Sequence, residues 1–119
     1  MGYQGTMRMW MVDPERMCSQ HLLGEHNEIH MLIGSLSMKK NLSGFLMKRI
    51  IEPGSIRTRH DAIALEMERR GFRHHSPVPE DPDIDYLGED AATVVDRTSS
   101  YGDLLSRCGK CRAIASQIH

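Results

Sequence analysis

Residues 20–32 read QHLLGEHNEIHML, and the spacing of the apolar residues in and just after this stretch decides the fold. At about 100° per residue, Leu22, Ile29, Leu32, Ile33 and Leu36 fall on one stripe of a helix. Upstream, Asp13 is a good N-cap and Pro14 suits the first helical position, where its missing N–H costs nothing. Downstream, Lys39-Lys40-Asn41 places cations at the negative end of the helix dipole. The reading is one long helix from about Pro14 to about Leu36. Cys18, His21, Glu25 and Glu28 run along one side of its stripe. His26 and His30 run along the other, and Asn27 and Met31 point away.

Before this helix, MRMWMV (7–12) is a short apolar segment, and residues 1–6 read as a flexible lead. After it, residues 42–54 read as an apolar and basic connection holding at most one helical turn. A second helix is predicted from about Ser55 to Arg70, with Ile56, His60, Ile63 and Met67 as its inner stripe and Gly71 as the residue that closes it. Residues 74–90 hold three prolines among many acids and read as a loop. A third helix is predicted from about Ala91 to Arg107, ending at Cys108-Gly109-Lys110-Cys111. No strand alternation occurs. The expected fold is all-α: a compact single domain over 1–119 with three main helices, a short N-terminal lead and an irregular acidic loop before the last helix.

Composition agrees with that class. Hydrophobic residues make up 39% and charged residues 26%, ordinary for a globular protein. Aromatics are only 5% while methionines number nine, so the core must be aliphatic and thioether, which suits helix packing better than a sheet. No apolar run approaches the roughly 18–20 residues that span a bilayer, and the N-terminus lacks the apolar stretch of a signal peptide. Three cysteines, an odd number, argue against a disulfide framework. The expectation is a cytoplasmic protein. The net charge of −1 hides an asymmetry. Residues 30–75 carry nine Lys/Arg against four Asp/Glu, whereas 79–119 carry four against eight. The middle of the chain can face an anion, and the acidic tail argues against indiscriminate nucleic-acid binding.

Three groups of residues carry chemistry. His26 and His30, at i and i+4, can grip a metal ion, but the zinc-protease pattern needs a glutamate directly after the first histidine, and here Asn27 stands there. Packing is the simpler reading of that pair. Cys108-x-x-Cys111 is half of a tetrahedral zinc site, and Cys18-x-x-His21 offers the other half, since one helical turn brings those two onto one side. The alternatives are a redox pair or unrelated buried thiols. Glu25 and Glu28 border the apolar stripe, where partial desolvation raises a carboxylate's pKa and suits it to move protons near neutral pH. The alternative is a salt bridge to Arg8, Arg57 or Arg59.

Two blocks then bear a resemblance. Gln20-His21-Leu22-Leu23, Glu25 and Glu28-Ile29 form the first. Arg57-x-Arg59-His60, Ile63, Glu66 and Arg70-Gly71-Phe72 form the second. With the lead Arg8-Met9-Trp10 they span about 8–75. The sequence resembles the bacteriophage-type pyrimidine-dimer DNA glycosylases, the endonuclease V family of UV-repair enzymes. The resemblance implies a DNA glycosylase with abasic-site lyase activity, acting through a Schiff base to the α-amine at the chain start. That amine falls at Met7, next to Thr6. The family's catalytic carboxylate falls on Glu28, and Arg8 and His21 match positions near the reacting sugar. Where the family carries basic residues one before and three after its acid, this chain has Asn27 and Met31.

The expected catalytic residues are therefore Glu28, Thr6 and Met7. The expected DNA contacts are Arg8, His21, Lys39, Lys40, Arg57 and Arg59. Cys18, Cys108, Cys111 and His21 are the expected ligands of a structural zinc, with no cofactor needed for the chemistry. Expected partners are double-stranded damaged DNA and no membrane, with the chain acting as a monomer. The rival readings are a non-catalytic DNA- or partner-binding helical module and a zinc-dependent hydrolase using His26, His30 and Glu28.

Overall fold

The computed structural model describes residues 7–73 and 81–117. Five helices follow one another: α1 (Ser19–Ser37), α2 (Ser43–Met47), α3 (Ile56–Arg69), α4 (Arg97–Arg107) and α5 (Gly109–Ala115). Short 3-10 segments lie at Pro14–Arg16, Pro53–Ser55 and Asp85–Ala92. No strand occurs among the described residues, and no described helix is long and apolar enough to cross a membrane. The all-α expectation holds.

The core forms where α1 packs on α3. The stripe expected on α1 is buried at Leu22, Ile29, Leu32 and Leu36, with Ile33 only partly covered. From α3 come Ile56, His60, Ile63 and Met67, all buried. Met9 and Met17 fill the space between these faces. Unbranched thioethers adapt to irregular gaps, which fits the abundance of methionine and the scarcity of aromatics.

The segment 7–12 has no regular structure, yet Met7, Met9, Trp10 and Val12 are buried. Buried main chain must find partners, and it finds them on several elements. Met9 N–H donates to Ile50 O (2.8 Å), Ser100 Oγ donates to Trp10 O (2.6 Å), and Arg59 Nη1 donates to Val12 O (2.6 Å). The beginning of the described chain is thus fastened between α1, α3 and α4.

The expected start of the first helix is corrected. Asp13 does cap, its Oδ1 accepting from Glu15 N, but the result is only the turn Pro14–Arg16. Met17 and Cys18 are extended, and α1 begins at Ser19 with Cys18 as its N-cap. The reason is competition for main-chain groups. Arg70 Nη2 takes the carbonyls of Pro14 (3.0 Å) and Met17 (2.7 Å), and Cys18 N–H donates to Cys111 Sγ (3.3 Å). A continuous helix would need those groups for its own ladder.

The third expected helix, 91–107, is corrected as well. Residues Asp85–Ala92 form a 3-10 segment kinked at Gly88 (φ 64), and α4 begins only at Arg97, capped by Asp96 Oδ1 on Ser99 N (2.9 Å). The Cys108–Cys111 motif does not end the structure, because Cys108 caps a further helix, α5. Residues 1–6 and the segment 74–80 of the expected loop lie outside the described residues.

Candidate active site

Glu25 and Glu28 leave the same face of α1 and meet different surroundings. Glu25 is 1% exposed. Arg59 Nε reaches its Oε2 at 2.7 Å and Arg59 Nη2 its Oε1 at 2.9 Å, a two-pronged ion pair. This corrects Arg59 as a DNA contact. Its guanidinium is 5% exposed and is held between Glu25 and the Val12 carbonyl, where no phosphate reaches it. Of the two readings for a carboxylate on the stripe's border, Glu25 takes the salt bridge.

Glu28 takes the other. Its Oε1 accepts the main-chain N–H of Arg8 at 2.8 Å. Burial pushes its carboxyl above the ordinary glutamate range, and the Glu25 charge adds to that, against the lowering effect of the Arg8 N–H and side chain. Gly24, one turn earlier, leaves its Oε2 uncovered, since a methyl group at Gly24 would stand 3.7 Å away. Met7, which precedes Arg8, is buried, and its Sδ accepts from Ser35 Oγ (3.7 Å). Thr6 lies outside the described residues.

Arg8 lies flat on Trp10, its guanidinium carbon 3.7 Å from the ring centroid. Its Nη1 pairs with Asp103 Oδ2 at 2.7 Å, which holds the Asp103 carboxyl below its ordinary range. Arg107, one turn on, binds the other Asp103 oxygen at 3.0 Å. Arg8, Asp103 and Arg107 line a groove of about 570 Å³ completed by Lys48 and Arg49. Arg8, Lys48, Arg49 and Arg107 oppose Asp96 and Asp103 there, so the groove carries an excess of cations. Sequence reasoning did not select Arg107, and it offered Lys48 and Arg49 only among the nine cations of residues 30–75. Arg107 comes from α4, and Lys48 and Arg49 from the turn after α2, where Met9 N–H donates to Ile50 O; only the packing of both against the lead brings them to Arg8.

The remaining expected DNA contacts are scattered. Lys39 and Lys40 are exposed at the end of α1. Arg57 is partly exposed, but Asp81 binds its Nε at 2.5 Å. His21 is half-buried, edge-on to Trp10 with ring centroids 5.7 Å apart, and its Nδ1 faces Cys18 Sγ at 3.3 Å. Burial lowers its pKa, which leaves the imidazole neutral near pH 7.

The four expected zinc ligands converge: Cys18 Sγ, His21 Nδ1/Nε2, Cys108 Sγ and Cys111 Sγ offer ligand atoms within 4.8 Å of one another. All three cysteines are free and buried. Burial pushes the Cys111 thiol up to about 12. At Cys108 burial acts the same way but is outweighed by the Cys111 N–H and the neighbouring thiols, which hold that thiol below its ordinary range. His26 and His30 gain a third imidazole, His60 of α3, at centroid distances of 5.1 and 5.0 Å. Glu28 leaves α1 about 200° from either histidine, so a hydrolase site built on His26, His30 and Glu28 does not assemble.

A partly desolvated carboxylate against the first described main-chain groups, beside a groove rimmed by cations, has the chemistry to move a proton next to an anionic group. The chain belongs to the pyrimidine dimer DNA glycosylase family, whose sequence model matches residues 7–80. That match opens at Met7, beside Glu28, and runs through α1, α2 and α3. No curated protein and no solved structure matches the chain.

Proposed function

We propose that this protein is a DNA glycosylase with abasic-site lyase activity, acting on pyrimidine-dimer damage through a Schiff base to the α-amine exposed at Met7 or its neighbour Thr6 once the preceding lead is removed. The supporting observation is the 2.8 Å hydrogen bond from Arg8 N–H to Glu28 Oε1. An amine on residue 7 lies one residue step, about 3.8 Å between Cα atoms, from the residue that touches the acid. An α-amine with a pKa near 8 is substantially unprotonated around neutral pH, so it is nucleophilic without special tuning.

The amine nitrogen attacks C1′ of the damaged nucleotide. The C1′–base bond breaks and the base departs with the electron pair and a proton. Loss of the amine proton with opening of the sugar ring leaves an imine. Glu28, as carboxylate, stabilises the positive charge that develops on the sugar and then takes a proton from C2′. The 3′ C–O bond breaks, phosphate leaves, and water releases the amine. Arg8, Lys48, Arg49 and Arg107 grip phosphates along the groove, in place of the cations that Asn27 and Met31 do not supply. Expelling a base costs least at a damaged, poorly stacked step.

The test is borohydride trapping. A chain opened at Met7 is mixed with abasic-site duplex and borohydride, and the products are weighed. A covalent adduct on the N-terminal peptide is expected. In Glu28→Gln the adduct should persist while strand cutting falls by about 10²–10⁴-fold. Absence of any adduct sinks the Schiff-base mechanism.

A further inference from the structure

The geometry points to a zinc ion held by Cys18, His21, Cys108 and Cys111, clamping the junction of α4 and α5 onto the start of α1. Three observations carry this. The first is shape. Zinc–sulfur and zinc–nitrogen bonds of about 2.3 and 2.0–2.1 Å imply tetrahedron edges of about 3.8 Å between sulfurs and about 3.6 Å from sulfur to nitrogen. Cys18 Sγ stands 3.8 Å from Cys108 Sγ and 3.3 Å from His21 Nδ1. A disulfide would need about 2.05 Å.

The second is the supporting hydrogen bonds. Each sulfur receives a main-chain N–H: His21 N to Cys18 Sγ (3.4 Å), Cys111 N to Cys108 Sγ (3.4 Å) and Cys18 N to Cys111 Sγ (3.3 Å). Donors aimed at every sulfur stabilise thiolates, which is the state a metal requires. The third is the choice of residue. Cysteines occupy the N-cap of both α1 and α5, where Ser, Thr, Asp or Asn cap better. A metal explains why sulfur stands in both places.

The ion would also steady the groove. His21 abuts Trp10, and Trp10 carries Arg8 on its face. The ion thus holds, through His21, the wall on which Arg8 is placed. It supplies no step of the reaction.

The experiment is metal analysis of the full chain purified under reducing conditions from zinc-replete cells. About one zinc per chain is expected. Cys108→Ser should lose it while keeping the α5 cap, since serine caps at least as well. Cys111→Ser should also lose it, and His60→Ala should keep it. Cobalt exchange needs no variant. It should give thiolate-to-cobalt charge-transfer bands with tetrahedral visible bands, and should quench Trp10, the chain's single tryptophan. Metal-free wild type with three reduced thiols would overturn the proposal. So would metal retained in Cys108→Ser but lost from His60→Ala, or bound cobalt lacking thiolate bands and leaving Trp10 emission unchanged.

Discussion

Glu25 and Glu28 sit three residues apart on α1, and one cation separates their fates. Arg59 neutralises Glu25 in a buried two-pronged pair, whereas Glu28 has only the Arg8 N–H on its Oε1 and a carboxyl raised by burial. Both glutamates were visible as candidates, because the helical period places them on the stripe's border. Arg8, Arg57 and Arg59 were visible as possible partners, but not which one meets which acid, because Arg59 arrives from α3 and the Arg8 N–H from an irregular segment. The raised pKa of Glu28 has a sign that can be tested. Below the unfolded pKa both states carry the proton and burial costs nothing. As pH rises through the unfolded value and then the raised folded one, the native state loses stability, fully so above the latter. Glu28→Gln should therefore leave the thermal midpoint at neutral pH unchanged or higher, although it removes strand cutting. Calorimetry of both proteins checks this, and a midpoint drop equal to that of a core truncation would make Glu28 a structural residue.

Three helices end alike, and two of those ends hold unexpected residues. After α1, α2 and α3 the chain turns through a left-handed residue while the following N–H groups bond back into the last turn: Lys39 (φ 53), Arg49 (φ 55) and Gly71 (φ 89). Glycine is the favoured occupant, because a Cβ there is crowded. Gly71 was legible in advance as such a residue. Lys39 and Arg49 were not, since nothing in their side chains signals the conformation. Arg49 lines the cationic groove, so a costly conformation stands where a charge lines the groove of the proposed DNA contact. Arg49→Gly should stabilise the fold by about 1 kcal/mol. It should weaken DNA binding and lower the slope of log affinity against log salt by about one. Lys39→Gly is the comparison for stability. Urea melts and salt titrations measure both, and a destabilised Arg49→Gly would contradict the argument.

Long-range ties hold the helices in one body. Glu52 is buried and binds Arg97 of α4, Ser55 Oγ and Val95 N–H (2.9 Å). Burial by itself raises its pKa, but these partners outweigh burial and hold the carboxyl at about 2. The sign is opposite to that of Glu28. The stability is present above the ordinary glutamate value of about 4.3 and is lost as pH falls through about 2. Glu52→Gln should cost about 1–3 kcal/mol at neutral pH, discounted because Arg97 is half-exposed, and should flatten stability between about pH 4 and 2. Acid titration followed by circular dichroism reads this. An unchanged acid limb would assign it to other carboxylates.

The order of residues along the chain was enough for the helical class, the buried stripes of α1 and α3, the closure at Gly71 and the family blocks, since each rests on periods or caps within one element. It could not place the Arg8 N–H against Glu28, assign Arg59 to the interior, or bring Lys48, Arg49 and Arg107 to Arg8. It also misjudged where α1 and α4 begin. Those outcomes depend on groups far apart in sequence competing for the same buried hydrogen bonds: Arg70 for the carbonyls before α1, Arg59 for Glu25 and Val12, Glu28 for Arg8 N–H. Such competition is settled when the helices pack, because only then is the water that would satisfy each group separately removed.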